Sequence, residues 1–296
     1  MPSASPANFS HRSTSLADER RAFHSQLLKS GILSVDSHGV ASNADKGNRQ
    51  SLQWAAFIAT CLSATAGTDK LVGQSAGNRF EAVCADFLNN TFPRLCAVRP
   101  GDWDIYQVRG RQSGVSQFEQ YAHLADLDAM TKETPLLRTV LGNGYVVAPD
   151  VIVARRPVPD AEFNTPAVFV DNSVATHAPL RAAVQDLPLL HAVVSCKWTL
   201  RSDRAQNART EALNLTRNRK GRVPHMAVIT GEPTPSRIAS LALGTGDIDC
   251  VYHFALYELQ AAIQESGHDD SRELLDIMIE GKRLKDISDL PLDLAV

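Results

Sequence analysis

The chain has 296 residues, 44% hydrophobic and 21% charged, with a net charge of −3. That suits an ordinary soluble globular protein with a large buried core, in one domain or two. Five cysteines, none at CxxC spacing, exclude a disulfide framework or a zinc site and point to reduced thiols in a cytoplasmic protein. No apolar signal-peptide core opens the chain, and no segment approaches the ~20 apolar residues of a membrane span.

In chain order, residues 1–15 (MPSASPANFSHRSTS) are rich in Ser, Pro and Ala and are expected to be a disordered tail. A helical pattern begins at Leu16, with Phe23, Leu27 and Leu28 on one face and Gly31 just past its end. Residues 35–50 read as a polar loop. Residues 51–66 form a buried helix (Trp54, Phe57, Ile58, Cys61, Leu62) stopped by Gly67. A helix over 78–89 carries the stripe Phe80, Val83, Cys84, Phe87. Another runs over 119–131.

The middle of the chain changes character. Residues 145–154 (YVVAPDVIVA) are dense in β-branched side chains and read as a strand, 168–170 as a short one, and 189–199 (LLHAVVSCKWT) as a central strand. Ser202 or Asp203 caps a helix to about Lys220, with Gly221 after it. Residues 225–230 form a strand, Thr234-Pro235 starts a helix, 249–254 is the last strand, and helices follow from about 255 and 271. Alternating strands and helices argue an α/β or α+β layered core. With no repeat and no linker, residues 16–296 are expected to form a single domain.

Asp150 lies in one of these strands, where an acid is costly to bury unless paired; a metal is one solution and a water-solvated strand end is another. Period two places Ser195 and Lys197 on one face of the central strand and Cys196 on the other. Lys197 is either a catalytic ammonium or the point where the strand meets solvent. In its helix Glu211 neighbours Ala208 and Leu215, which aims its carboxylate at the sheet. Glu81 borders the apolar stripe of its own helix. Each glutamate reads equally as a half-buried acid paired with an arginine. Together these groups supply carboxylates for a hard divalent cation such as Mg²⁺ plus one ammonium, which suits phosphodiester hydrolysis.

The net charge does not advertise a nucleic-acid partner, but a global balance can hide a patch. From Lys197 to Arg222 eight basic residues face two acids, a local charge of +6. That stretch fits a phosphate-binding surface, or an Arg-rich solvated helix. Within it Arg201, Asp203 and Arg204 sit where strand gives way to helix. Arg is suited to guanine O6/N7 and Asp to cytosine N4; Asp203 can also serve as a helix cap.

The runs SNADKGN, GQSAGNRFEA, RPGDW, SCKWTLRSDRAQNARTEALNLTRNRKGRVPH, EPTPSRIASLALGTGDIDCVYHFALYELQ and GKRLKDISDLPLDLAV resemble the NgoMIV-type family of type II (IIF) restriction endonucleases, which reads a CCGG core. The similarity spans nearly the whole chain, apart from the first ~15 residues and parts of 110–190. It implies the PD-(D/E)xK restriction-endonuclease-like fold, a central mixed β-sheet flanked by helices. It also implies a metal-binding Asp150, a catalytic Lys197, and Ser195 where the wider superfamily has an acid. Glu211 would replace that acid, and Glu81 would be a further active-site acid. Arg201, Asp203 and Arg204 match the family's inner and middle G·C readers, and Gln74 and Arg237 its outer-pair readers. The implied activity is Mg²⁺-dependent cleavage of a palindromic double-stranded site resembling GCCGGC, leaving 5′ overhangs. The implied assembly is a homotetramer, a dimer of dimers engaging two sites, within a restriction-modification system that pairs it with a cognate methyltransferase.

Overall fold

Six strands build one sheet in the spatial order β1-β2-β3-β4-β5-β6. They are β1 (Trp103–Gln107), β2 (Val151–Arg155), β3 (Leu189–Lys197), β4 (His225–Thr230), β5 (Cys250–His253) and β6 (Leu284–Asp286). In this computed structural model, residues 14–65, 73–108, 114–134, 136, 139, 147, 149–244 and 246–296 are described. Strand β2 runs antiparallel to both of its neighbours, β1 and β3, and β3 through β6 are parallel. Parallel neighbours need crossovers. These are supplied by the helix Ser202–Asn218 between β3 and β4, the helix Pro235–Ala242 between β4 and β5, and the helices Leu256–Ser266 and Asp269–Glu280 between β5 and β6.

Numbered along the chain, the helices longer than one turn among the described residues are α1 (Leu16–Lys29), α2 (Arg49–Cys61), α3 (Gly73–Thr91), α4 (His123–Glu133), α5 (Ser202–Asn218), α6 (Pro235–Ala242), α7 (Leu256–Ser266) and α8 (Asp269–Glu280). Local chemistry explains their ends. Ser15 and Asp18 form a capping box on α1, and Gly31 follows it with φ +71°. Asn48 caps α2 by accepting from the Ser51 N–H at 3.0 Å. Pro235 opens α6, where its missing N–H costs nothing.

Central strands β2 and β3 are buried along most of their length, as strands covered on both faces must be. One face of β3 meets α3: Trp198, just past the strand, packs on Phe80 with ring centroids 5.1 Å apart. The other face presents Val193 and Ser195 to Ala208, Ala212 and Leu215 of α5. Alanines there let the helix sit close to the sheet. Among the described residues, Trp54, Tyr121, Phe80, Phe92, Phe118 and Phe254 are the largest fully buried side chains, within one contiguous core cluster. This mixed sheet with helices on both faces is the restriction-endonuclease-like architecture that the resemblance implied. Among the described residues no helix is long and apolar enough to cross a membrane.

Several expected boundaries move. Helix α2 covers 49–61 rather than 51–66, so Arg49 and Gln50 leave the expected loop, and Ser63 turns the chain with φ +62°. Helix α3 begins five residues before the expected Asn78. The expected strand over 145–154 is β2, which begins at Val151; positions 145, 146 and 148 lie outside the described residues, as do the expected tail's residues 1–13 and the Gly67 stop. The expected strand at 168–170 is a loop. Phe169 and Val170 donate their N–H groups to Asn164 Oδ1 instead of to a neighbouring strand, and Val168 and Phe169 are more than three-quarters exposed. Neither Ser202 nor Asp203 caps α5: the cap position is Arg201, without a side-chain hydrogen bond. The last strand is β6, not the one at 249–254, and β1 is a further strand unforeseen from sequence.

Candidate active site

Antiparallel pairing of β2 with β3 sets Val151 opposite Val194, which brings Asp150 beside Ser195. Asp150 Oδ2 accepts from Lys197 Nζ at 2.7 Å, from the Cys196 backbone N–H at 2.7 Å and from Ser195 Oγ at 3.4 Å. All three donors use one oxygen; among the described residues Oδ1 accepts no hydrogen bond. Lys197 and Asp150 are 16% and 19% exposed, so the pair is open to a ligand rather than sealed. Burial pulls Lys197 downward, but Asp150 and Glu211 outweigh it and its pKa is raised. The ammonium is therefore charged at neutral pH.

Glu211 reaches this point from α5, between the buried Ala208 and Leu215 as its helical spacing requires. Among the described residues its carboxylate has no hydrogen bond or ion pair. Burial raises it to about 7; Lys197 opposes that rise and outweighs the smaller upward push from Asp150. Glu81 arrives from α3 and is held by Gln107 of β1, whose Nε2 donates to Glu81 Oε2 at 2.8 Å and to the Asn78 carbonyl at 3.0 Å. Its pKa is also raised, first by burial, with Asp150 adding to the shift. Asp150, Lys197, Glu211 and Glu81 thus feel one another's charge at a single point, the C-terminal end of β3.

A half-buried carboxylate with no partner is costly unless a cation arrives. Oxygen donors from Asp150 and Glu211, one of them with a bare Oδ1, suit a hard divalent ion. Among the described residues no three His, Cys, Asp or Glu side chains gather closely enough to cage a metal. A Mg²⁺-like ion fits that arrangement, because it takes one or two carboxylates and completes its shell with water and phosphate oxygens.

The titration of Glu211 gives a testable sign. Its folded pKa of about 7 lies above the ordinary glutamate value near 4.3. Its proton therefore contributes stability that is fully present below that ordinary value and is lost as pH rises through about 7. Metal-free protein should melt progressively lower over this window than Glu211→Gln, which has no carboxylate to ionise. Saturating Mg²⁺ should close the gap at pH 8. Melting curves of the two proteins that stay parallel with pH would refute this.

The same point opens into a cleft of about 560 Å³ lined by Glu81, Lys197, Arg201, Arg204, Asn207, Glu211 and Arg237. Arg201 is exposed and, among the described residues, makes no hydrogen bond or ion pair. Arg204 instead braces the turn, donating to Thr199 Oγ1 at 2.8 Å. Arg237 pairs with Asp45 and lies 3.7 Å from Glu232. Asp203 is exposed in the first turn of α5 and does not line the cleft. Gln74 belongs to the first turn of α3, but its side chain lies outside the described residues.

Three supporting residues escaped the sequence reading: Gln107, Asp45 and Glu232. Glu232 is fully buried just after β4 and accepts from the Leu200 and Thr234 N–H groups at 3.0 and 3.2 Å. It ties the chain entering α5 to the chain entering α6. Its signal was present as a lone acid in TGEPTP, but only the fold shows what it holds. Glu232→Ala would orphan both buried N–H groups, at ~1–3 kcal/mol each. The melting temperature should fall together with affinity for the duplex. An unchanged melt would remove Glu232 from this role.

A family profile described as NgoMIV restriction enzyme matches residues 23–296. The type II restriction enzyme NgoMIV of Neisseria gonorrhoeae is 53% identical over 279 residues, 94% of this chain and 98% of that protein. A sheet of the right topology, a carboxylate and ammonium paired at the ends of its central strands, and similarity along almost the full length agree: the chain belongs to the NgoMIV restriction enzyme family.

Proposed function

We propose that this protein is a type II restriction endonuclease that hydrolyses double-stranded DNA, with Mg²⁺, at a palindromic GC-rich site resembling GCCGGC, leaving 5′ overhangs. The observation that carries the reading is the unpartnered Glu211 carboxylate facing the Asp150–Lys197 pair at the base of an arginine-lined cleft.

Asp150 and Glu211 are the groups that would hold the ion. When bound, it polarises the scissile phosphate and lowers the pKa of water. Lys197 lies beside Asp150, where its ammonium donates to the attacking water or to a non-bridging phosphate oxygen and offsets charge that grows on the phosphorane. The water oxygen bonds to phosphorus as the bond to the 3′ oxygen breaks; the water's proton goes to solvent and the leaving oxygen takes one up. Asp150 keeps Lys197 protonated and in place. Glu81, steered by Gln107, adds negative charge at the edge of the site, and Ser195 fills the position beside Asp150 with a neutral hydroxyl.

Specific reading falls to Arg201, Asp203 and Arg204 for the inner and middle G·C pairs, and to Gln74 and Arg237 for the outer pair. A palindromic site suits a two-fold protein pair. The proposed assembly is a homotetramer of back-to-back dimers of a single-domain chain engaging two sites, in the cytoplasm, with a cognate methyltransferase protecting host DNA. Digestion of a plasmid with many candidate sites, followed by sequencing of the ends, tests this. Discrete fragments should share one palindrome and one 5′ overhang. An uncut but tightly bound plasmid, or nicks that follow DNA structure rather than sequence, would overturn it.

A further inference from the structure

At the opposite end of the sheet the chain gathers positive charge, and among the described residues the guanidiniums there make no ion pair. Arg155 closes β2 directly across from Trp103, which opens β1, and its guanidinium carbon lies 5.6 Å from the indole ring centre. Trp103 packs edge-on to His191 at 4.9 Å, and His191 packs on His225 at 5.2 Å. A Cβ added at Gly101 would lie 2.8 Å from Arg155 Nε and 3.0 Å from Trp103 Nε1, so these two N–H groups flank one point. Four buried nitrogens here have no hydrogen-bond partner among the described residues: Arg99 Nε, Arg155 Nε, Trp103 Nε1 and His225 Nε2. Buried donors are rarely left unmade, and each one is costly.

The charges agree with the orphaned donors. Arg155 is buried enough to lose basicity, and Arg99 and Arg222 lower it further. Burial likewise lowers His191 and His225, and the same two arginines push both down further. Three guanidiniums therefore share one neighbourhood. Of the nearby carboxylates, Asp102 and Asp104 lie 3.6 and 3.0 Å from Arg156, Asp293 accepts from Tyr252 and Lys285, and Glu162 opposes the two arginines at Arg155 without outweighing them. Asp249 accepts from the Met226 N–H and lies 4.0 Å from His225 Nδ1. His191 is occupied by the Leu294 carbonyl at 2.7 Å. Among the described residues Arg99, Arg155 and Arg222 make no ion pair.

We propose that Arg99, Arg155 and Arg222, with the Trp103 indole N–H and His225, form a second anion site that takes a phosphate oxyanion. A tetrahedral oxyanion has enough acceptor positions to meet several forked N–H donors at once, and guanidinium geometry suits it. The site is separate from the cleft: Arg155 lies five residues along the chain from Asp150, roughly 16 Å at strand rise. Its phosphate is either a free ion or a backbone phosphate of DNA beyond the recognised bases, and the two sources present the same chemistry.

Titration of the whole protein with inorganic phosphate, at constant ionic strength set with chloride, tests the site by calorimetry and by melting temperature. Wild type should bind and be stabilised. Arg155→Gln/Arg222→Gln should lose at least about fivefold in affinity, while Lys197→Met, altered in the cleft, should bind phosphate as wild type does. Arg222 is exposed, so Arg222→Gln alone, unable to disturb the core, provides a graded loss. A second arm measures binding of a long duplex lacking the palindrome. Weaker binding by the double variant, with phosphate competing in wild type, assigns the site to the DNA backbone; unchanged duplex binding assigns it to the free ion, and both support the proposal. Equal phosphate binding by wild type and double variant, or none by wild type, overturns it. So does loss of self-association in the variant without any response to phosphate, which would make the ligand a partner subunit's carboxylate.

Discussion

Lys197→Met will abolish DNA cleavage while the protein stays folded and still binds its duplex. The ammonium is 2.7 Å from Asp150 Oδ2 and, among the described residues, is the cation placed directly on that carboxylate. Losing a preorganised charge that stabilises developing negative charge costs about 10²–10³-fold in rate, and the added role in orienting water puts this loss at the upper end or beyond. The fold should tolerate the change, because Asp150 keeps the Cys196 N–H at 2.7 Å and is partly open to water. Single-turnover cleavage of a labelled duplex gives the rate, and a gel shift in chelator gives the binding. Cleavage within tenfold of wild type would end the mechanism described above.

Arg201→Ala will remove specific recognition and leave weak, sequence-independent binding nearly intact. Arg201 occupies the cap position of α5, is exposed, and its side chain makes no hydrogen bond or ion pair with a described residue, so its full donor set is available to a base edge. A lost bidentate Arg–guanine contact costs ~1–3 kcal/mol per half-site, about 5–150-fold in Kd. Arg237 differs, because it is already paired with Asp45 and close to Glu232 and must exchange those partners to reach DNA. Competition between a duplex carrying the palindrome and one with a single inverted base pair separates the two kinds of loss. If Arg201→Ala weakens both duplexes equally, Arg201 is a phosphate contact and not a reader.

The placement of the candidate site's side chains was legible from sequence where the needed information is local. Alternation along β3 put Ser195 and Lys197 on the side opposite Cys196, and β3's pairing with β2 brought Asp150 to that side. The i−3 and i+4 neighbours of Glu211 aimed it at the sheet, and both are buried. Elements with weak local signal were missed. Strand β1 has one buried residue among five and β6 only three residues in all, so neither shows a period long enough to read. The β-branched run at 168–170 failed in the opposite sense: its composition favours a strand, but among the described residues no strand pairs with it and Asn164 holds it as a loop.

By itself, then, the sequence determined the elements whose apolar periodicity is long, the family, and the identities of the acid, lysine and arginine groups that converge. Only the tertiary structure decided what surrounds those groups: Gln107 steering Glu81, Glu232 tying two chain segments, Asp45 holding Arg237, and, at the far end of the sheet, Arg99 and Arg155 with guanidinium nitrogens that have no hydrogen-bond partner among the described residues. The physical reason is range. Periodicity and caps act over a few residues, whereas hydrogen-bond partners, burial and the pKa values they set come from groups tens to hundreds of positions apart, which only the closed sheet brings within reach.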